Sequence, residues 1–377
     1  MTEAPREVAD RMAEAAGAWL ESLDAEQRQV ASGTTPGADD PSDAERLRWF
    51  YTPTDHGGLP MEQQRPAQQR LAMQLVASGL STAGYVTVST IMGWENVLDL
   101  VENFAVDWAR ERGRNPGLYY LRVFGDPIVD RVWGWRFGGH HVSLNNLVVD
   151  GRVRSMTPCF LGADPASAPL LGQVAMRPLA AAEDLARELL HSLPAELAER
   201  ATLLDRAPTD IIGGNRTRIQ DGDRMISLPD IWRGRFDDPQ VADRLDGMSD
   251  AAEAASGVTP DDHGRLALTS VPKGLPGSAL DSSQKELLGA LVATYVGRVP
   301  DGLAPRIDLE EVHFAWAGSP KPGEPHYYRL QAPRLLAEWD DTQRGANHAH
   351  SVWRDPQSDF GLDVLAAHRA EHHVGEE

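Results

Sequence analysis

The chain has 377 residues, a formal net charge of −20 and 41% hydrophobic residues. That length and composition predict a globular protein of one large domain or two, with a sizeable hydrophobic core. The acidic balance argues against a sequence-independent nucleic-acid binder, which needs Lys and Arg to neutralise phosphates, and against an anionic membrane surface as a partner.

Cys159 is the only cysteine, which excludes an intramolecular disulfide and a cysteine-based zinc site. Its apolar neighbours predict a buried structural thiol. No apolar run approaches the roughly 20 residues of a membrane span, and the N-terminus lacks the apolar segment of a signal peptide. We therefore expect a soluble, cytoplasmic protein that acts on a small molecule, with neither nucleic acid nor membrane as a partner. Composition does not indicate an oligomeric state.

The N-terminal residues predict helices followed by a linker. Residues 7–30 show the spacing of an amphipathic helix, and Asp24 followed by Gln27 predicts a capping box that opens a further short helix. The next segment is rich in Ser, Thr, Pro, Gly and Asp, as linkers are. This pattern predicts an N-terminal helical appendage and linker over residues 1–45 and a main domain over residues 46–377.

In the main domain the hydrophobic period changes several times between that of a helix and that of a strand. Helices are predicted over 65–80, 91–110, 180–206 and 363–373, and from a cap formed by Ser283 and Glu286. Strands are predicted over 118–124, 132–137, 141–145, 312–317, 326–331 and 335–340. Asp150-Gly151 predicts a hairpin turn, and the acidic residues 234–265 a flexible or inserted region. Together these elements predict an α+β fold with antiparallel sheets flanked by helices.

Two parts of the chain share an order of features. A Tyr-Tyr pair begins at Tyr119 and again at Tyr327, and a histidine follows 21 residues later in each case, at His140 and at His348. This echo favours two pseudo-duplicated halves, although a few matched aromatic residues also arise by coincidence. The two predicted halves are residues 60–165 and 270–365. A helical, acidic insert over residues 180–265 is predicted between them.

The densest group of candidate metal-binding and catalytic residues lies between Glu338 and Asp355. Side chains alternate along a strand, so His348 and His350 share a face, as do Glu338 and Asp340. A turn between the two segments brings the carboxylates and imidazoles together. Imidazoles with carboxylates are ligands for a divalent transition metal, with iron or copper favoured here and zinc as the alternative.

A second histidine pair supplies further candidates. His140 and His141 are adjacent, so in a strand only one of them faces His348, and the preceding glycines favour His141. The predicted metal ligands are His348, His350, His141 and His140. The predicted catalytic residues are Asp340, Glu338 and Arg354. The predicted substrate-binding residues are Arg136, Trp135, Tyr328 and Trp353. The alternatives are histidines that hydrogen-bond to the backbone and carboxylates or arginines that pair within the protein.

Several long strings of polar and aromatic residues resemble a bacterial family known only as domain of unknown function 3500. They include Trp-Gly-Trp-Arg-Phe-Gly-Gly-His-His at 133–141 and Asn-His-Ala-His-Ser-Val-Trp-Arg-Asp at 347–355. The likeness covers most of residues 46–373, with Asp164 in place of an expected Asn and an acidic insert around 234–265. The resemblance implies no chemistry, because the family is named for lacking an assigned function.

Common catalytic signatures are missing from the sequence, which has no Walker lysine motif, no G-x-G-x-x-G, no G-x-S-x-G and no H-E-x-x-H. The histidines therefore carry the functional prediction. We expect a metal-dependent enzyme acting on a small organic substrate in a largely apolar pocket, most of all an oxidoreductase or oxygenase with a histidine-rich iron or copper site. The alternatives are a zinc hydrolase that uses metal-bound water and a non-catalytic small-ligand-binding protein.

Overall fold

A mixed, mostly antiparallel sheet of 13 strands runs through the molecule. The computed structural model describes residues 3–37, 44–106, 110–227, 230–231 and 239–372. Helices cover one face of this sheet, which confirms the predicted α+β class. No described helix is long and apolar enough to cross a membrane.

The strands alternate with turns much as the sequence predicts. They are β1 (Ser32–Gly33), β2 (Leu59–Pro60), β3 (Tyr119–Phe124), β4 (Val132–Gly139), β5 (Val142–Val149), β6 (Arg152–Ser155), β7 (Cys159–Ala163), β8 (Ala168–Pro169), β9 (Ala175–Met176), β10 (Thr202–Leu204), β11 (Leu275–Pro276), β12 (His313–Gly318), β13 (His326–Ala332), β14 (Leu335–Asp341) and β15 (Ala349–Arg354). The predicted Asp150-Gly151 turn joins β5 to β6, with both residues at positive φ.

Strand order places β7 against β15 at the centre of the sheet. The order is β1-β3-β4-β5-β7-β15-β14-β13-β12-β10, with β2, β6 and β11 added beside β3, β5 and β12, while β8 and β9 form a separate ribbon. Four strands of this order therefore lie between each edge of the sheet and the central β7–β15 pair, counting the edge strand. Tyr119 opens β3, the second strand from one edge, whereas Tyr327 lies in β13, the third from the other edge, so the 21-residue echo does not join matching strands. A duplication of the chain stays a prediction.

Helices pack mainly on one face of the sheet. They are α1 (Ala4–Ser22), α2 (Ala25–Ala31), α3 (Pro66–Ser78), α4 (Thr82–Val101), α5 (Ala180–Ser192), α6 (Ala195–Ala201), α7 (Pro239–Ser256), α8 (Pro260–Leu266), α9 (Ser282–Val296) and α10 (Leu362–His372). The predicted capping box between Asp24 and Gln27 opens α2. Helix α1 packs on α3, with Met12 and Trp19 fully buried in the main core. The domain boundary near residue 45 stays a prediction.

Several predicted elements differ from the structure in their bounds, among them the helix predicted over 180–206, which is divided into α5, α6 and β10. Helix α4 begins at Thr82, nine residues earlier than predicted, because the Ser81 side chain accepts a hydrogen bond from Gly84 N and caps it. Helix α9 is capped by Asp281 and Gln284, each side chain bonding to the other's backbone N–H, and not by Ser283 and Glu286. The described part of residues 234–265 holds α7 and α8, while residues 232–238 lie outside the described residues.

The two faces of the sheet are covered differently. The helix face packs against α1, α3, α4, α5 and α9 to form the main core. The opposite face, here called the loop face, is covered by residues 44–57 and by the described residues between 203 and 268, which form two smaller apolar clusters with the sheet. Because neighbouring residues of a strand point to opposite faces, this division decides which predicted site residues meet.

Candidate metal centre

Three imidazoles converge at one end of the central strands. The Nε2 atoms of His141 and His348 lie 2.8 Å apart, and His350 Nε2 lies 3.3 Å from the first and 3.1 Å from the second. His141 and His350 are buried, and the side chain of His348 is 13% exposed. In the described part of the chain these three side chains form a group that could hold a metal ion. We call it the histidine triad.

Short connections between strands present the triad. His140 and His141 are the two residues that link β4 to β5, since Gly139 pairs with Val142. His348 lies one residue before β15, and His350 is the second residue of that strand. The β14–β15 hairpin that the sequence predicts is present, with Asp340 directly opposite His350.

His141 adopts an unfavourable backbone conformation. Its φ of 63° lies in the left-handed region, which costs a residue with a Cβ roughly 1–2 kcal/mol. The facing strand accommodates the ring by means of Gly162, where an added Cβ would lie 2.8 Å from His141 Cδ2. The absence of a side chain at Gly162 leaves room for the His141 ring. That ring lies toward the imidazoles of His348 and His350 despite the backbone strain.

A carboxylate that the sequence reasoning missed orients His350. Asp210 Oδ1 lies 2.8 Å from His350 Nδ1, so that nitrogen donates its proton and Nε2 presents its lone pair to the triad. The Tyr51 hydroxyl donates to the other oxygen of Asp210 at 3.1 Å. No local sequence signal identifies Asp210, because it reaches His350 only through the path of the loop over the sheet.

Glu338 holds the loop that carries Asp210. It is fully buried and accepts hydrogen bonds from Ile212 N, Gly213 N and the Tyr327 hydroxyl, each at 2.8 Å. These three donors satisfy its carboxylate away from the triad. The structure therefore places Glu338 in a supporting position rather than among the imidazoles.

The nitrogens of the triad cannot satisfy one another by hydrogen bonding. A neutral imidazole nitrogen is either a donor or an acceptor. Among three nitrogens that all contact one another, at least two must be donors or at least two must be acceptors. Two such nitrogens cannot form a hydrogen bond, yet no two of the three lie more than 3.3 Å apart. Burial lowers the pKa of His141 and of His348 well below the ordinary value, and neighbouring histidines lower both further. The rings of His141 and His348 are therefore neutral near pH 7, and a central cation would accept a lone pair from each nitrogen of the triad.

Carboxylates surround the triad at its margins. Asp340 belongs to a buried group with Asp210 and His350, and burial followed by the neighbouring Asp210 raises the pKa of Asp340 well above its usual range. Asp164 Oδ2 lies 3.6 Å from His348 Nδ1 and 3.0 Å from Arg344 Nε. Burial raises the pKa of Asp164 despite that arginine.

His140 lies beside the triad without joining it. Its ring stacks on that of His141 with 3.8 Å between centroids, and its Nδ1 lies 2.5 Å from Glu95 Oε1. Arg114 and Glu102 form a buried ion pair next to this contact. Of the two adjacent histidines, the structure brings His141 to the shared centre, and it gives His140 a carboxylate partner that the sequence reasoning did not find.

The remaining predicted site residues lie elsewhere. Arg354 bonds to Asp359 and to the carbonyls of the 213–217 loop. Arg136 bonds to Glu45 and to carbonyls of the 45–57 segment. Both arginines therefore anchor loops. Trp135, Tyr328 and Trp353 are buried in the core of the helix face, on the other side of the sheet from His350.

Of the two larger cavities, one borders residues next to the triad. This cavity, of about 510 Å³, is lined by Asp341 and Asn347, which flank the start of β15, together with charged side chains of α5. The other, of about 770 Å³, includes Tyr120 and Arg110, and Arg110 also lines a small cavity at His140. Charged side chains contribute to the lining of both larger cavities, and the apolar substrate pocket stays a prediction.

Comparison with known proteins supplies a family but no chemistry. No curated protein and no solved structure matches the chain. A family model described as "Protein of unknown function (DUF3500)" matches residues 5–362. Because that match spans nearly the whole chain and agrees with the motifs in the sequence, the chain belongs to the DUF3500 family.

Proposed function

We propose that the histidine triad binds a divalent transition metal and that the chain is a metal-dependent enzyme acting on a small organic substrate. The observation that carries this proposal is the triangle of Nε2 atoms 2.8–3.3 Å apart. With metal–nitrogen bonds of about 2.05 Å, neighbouring ligands lie about 2.9 Å apart in an octahedron and about 3.3 Å apart in a tetrahedron. The observed spacing covers both arrangements.

The number of ligands favours catalysis over a structural role. Structural zinc sites use four protein ligands, whereas catalytic sites keep a position open for water or substrate. In the described part of the chain the triad offers three candidate ligand atoms, one from each histidine. The partial exposure of His348 supports access to the open side.

An oxidoreductase with iron or copper is our first choice. Imidazole nitrogens suit both metals, and among divalent ions copper binds such ligands most tightly. A metal at this site would supply electron transfer or oxygen binding, while Asp210 would fix the tautomer of His350. A zinc hydrolase is the second choice, supported by the Asp210–His350 pair, since carboxylate-bound histidines are typical zinc ligands.

Elemental analysis tests this proposal directly. The protein is expressed with iron, copper and zinc supplied separately, and the bound metal is counted per chain. We expect close to one metal per chain in the wild type and at least a tenfold lower content in the double variant His348→Ala, His350→Ala. His313→Ala is the matched control, because His313 lies outside the triad with its Nδ1 beside Glu311 O. Sub-stoichiometric metal in every wild-type preparation would favour the ligand-binding alternative.

A further inference from the structure

The cavity of about 510 Å³ next to the triad has an uneven balance of charge. Asp341 and Asn347 line it from the β14–β15 hairpin, and charged side chains of α5 line it as well. Its lining includes four acidic side chains and two arginines, all of them within the described ranges. The pairing of these charges with one another decides which kind of ligand the cavity suits.

Two of the acidic side chains neutralise both arginines. Arg177 lies 2.7 Å from a carboxylate oxygen of Glu183 and 2.7 Å from one of Asp184. Arg187 lies 2.7 Å from the other oxygen of Glu183. The two positive and two negative charges of this group therefore balance, and two carboxylates of the lining are left over.

One of those two carboxylates, Asp341, is buried with a free oxygen. The residue is 2% exposed, and its Oδ1 accepts the backbone N–H of His348 at 2.9 Å. Its Oδ2 has no hydrogen-bond partner among the described residues, yet it is not sealed from solvent, so it is open to the cavity that Asp341 lines. Strand alternation agrees, because Asp340 lies opposite His350 and Asp341 therefore points to the helix face, where α5 packs.

The second carboxylate without a partner is Glu188, at an exposed position on α5. No cationic side chain of the described residues lies within the 4.0 Å of an ion pair with Glu188 or with Asp341. A buried carboxylate without a counter-charge is costly, and a positively charged ligand would remove that cost. The cavity therefore suits a cation rather than an anion.

We propose that this cavity binds the ammonium group of a small organic amine at Asp341, and that such amines are the substrate class of the enzyme proposed above. An ammonium group has three N–H donors, of which Oδ2 of Asp341 accepts one. The volume of about 510 Å³ equals that of about 17 waters at roughly 30 Å³ each, far more than a bare ion fills. Ala166, Pro322 and Ala346 supply apolar wall for the organic part.

The position of the cavity connects it with the triad. Asp341 accepts the backbone N–H of His348, and Asn347, the residue before that histidine, also lines the cavity. An amine on Asp341 therefore lies beside the partly exposed member of the triad. The role of the amine as a substrate rests on the proposed function, whereas its binding does not, since no metal takes part in it.

Calorimetric titration of the full-length protein with benzylamine, both as purified and after removal of metal by a chelator, tests the proposal. The titration is done at pH 8, where the amine is protonated and Asp341, whose pKa burial raises to about 7, is largely ionised. We expect saturable binding of one benzylamine per chain. Benzyl alcohol, which has a similar shape without the charge, should bind at least tenfold more weakly, and calcium chloride should not displace benzylamine.

Asp341→Asn removes the charge and keeps an acceptor for the His348 N–H, so the affinity for benzylamine should fall at least tenfold. Absence of saturable benzylamine binding in the wild type overturns the proposal, as does equal affinity for benzyl alcohol, displacement by calcium or equal affinity in Asp341→Asn. Benzylamine binding by a protein without stoichiometric metal would support this site while the metal proposal fails. Metal uptake without benzylamine binding would do the reverse.

A second variant separates ligand binding from a purely structural role of Asp341. Glu188 is exposed, so Glu188→Lys adds a positive charge to the lining and leaves Asp341 in place. We expect at least tenfold weaker benzylamine binding with an unchanged melting temperature of the ligand-free protein. Glu199→Lys, at an exposed position on α6, changes the net charge equally and should bind as the wild type does. Undiminished benzylamine binding in Glu188→Lys means that the amine binds elsewhere, and it overturns the assignment.

Discussion

At His141 the backbone and the side chain make opposing demands. The left-handed φ of 63° favours glycine, whereas the Nε2 atom at 2.8 Å from His348 requires an imidazole. A strained residue that persists in a two-residue turn is best explained by what its side chain does. The preceding Gly138-Gly139 pair predicted an irregular turn at His140. The turn is present, but the residue with the positive φ is His141.

Two substitutions at this position separate backbone strain from metal binding. Both His141→Gly and His141→Ala remove a proposed ligand, so both should take up at least tenfold less metal than the wild type. In the metal-free state His141→Gly should be more stable than His141→Ala by about 1 kcal/mol, because only glycine adopts this φ without cost. Urea unfolding measures the difference. Equal stabilities would show that the turn relaxes and that His141 is not strained in solution.

The side chains of the strands make different contacts on the two faces of the sheet. On the loop face the strand arginines anchor crossing segments, as Arg354 does for the loop that carries Asp210 and Arg136 does for the segment that carries Tyr51. On the helix face β12, β13 and β14 align a stack of rings, with Trp316 and His326 at 5.2 Å and Tyr328 and Trp339 at 6.2 Å. The strands thus carry His350 directly and position Asp210 through the loop that they anchor.

The ring stack makes a pH-dependent contribution to stability. His326 is fully buried, its Nε2 accepts from Trp339 Nε1 at 3.1 Å and faces Arg187, and Glu183 lies nearby. Burial, followed by the positive charge of Arg187, lowers the pKa of His326 to about 4. Below pH 6.5 the unfolded chain gains a proton there that the folded chain does not, so stability is lost as pH falls from 6.5 toward 4.

Comparison of the wild type with His326→Gln isolates this effect from the other titrating groups. Between pH 7 and pH 5 the free energy of unfolding of the wild type should fall by about 2 kcal/mol more than that of the variant. Chemical denaturation at a series of pH values measures it. His191→Gln, at an exposed position on α5, serves as the control and should follow the wild type. Parallel curves for the wild type and His326→Gln would contradict the assigned pKa shift.

For the molecule as a whole, the N-terminal helix belongs to the main core. Met12 and Trp19 of α1 are fully buried, and Trp19 Nε1 donates to Gln64 Oε1 at 2.9 Å. Gln68 of α3 donates to the Ser22 carbonyl at the end of α1, and Gln284 of α9 donates in the same way to the Ser192 carbonyl at the end of α5. Each helix pair thus packs on its own half of the sheet.

This packing predicts a large effect of a single substitution far from the triad. Trp19→Ala should lower the free energy of unfolding by about 3–5 kcal/mol, because it removes a large buried side chain and leaves a cavity. Val30→Ala, on the partly exposed α2, should change it by less than about 1 kcal/mol. Guanidinium unfolding followed by circular dichroism measures both. A loss below about 1 kcal/mol in Trp19→Ala would show that α1 is a peripheral appendage.

The sequence by itself determined the local elements and the candidate ligands. The main strands and the Asp24 cap follow from periods of two and 3.6 and from capping chemistry, which depend on neighbours in the chain. His141, His348 and His350 were all named from such patterns. The same patterns misjudged where α4 begins and which residue caps α9, because a serine or aspartate a few residues away competed equally well.

Tertiary structure alone decided which of these residues meet. The pairing of β7 with β15 joins distant parts of the chain, and alternation along those strands sends His350 to the loop face and Ser351 to the helix face. Asp210 reaches His350 only because Glu338 and Arg354 anchor its loop. Such contacts depend on packing between segments far apart in sequence, which no local period encodes, so the sequence listed the candidate ligands and the fold brought three of them together.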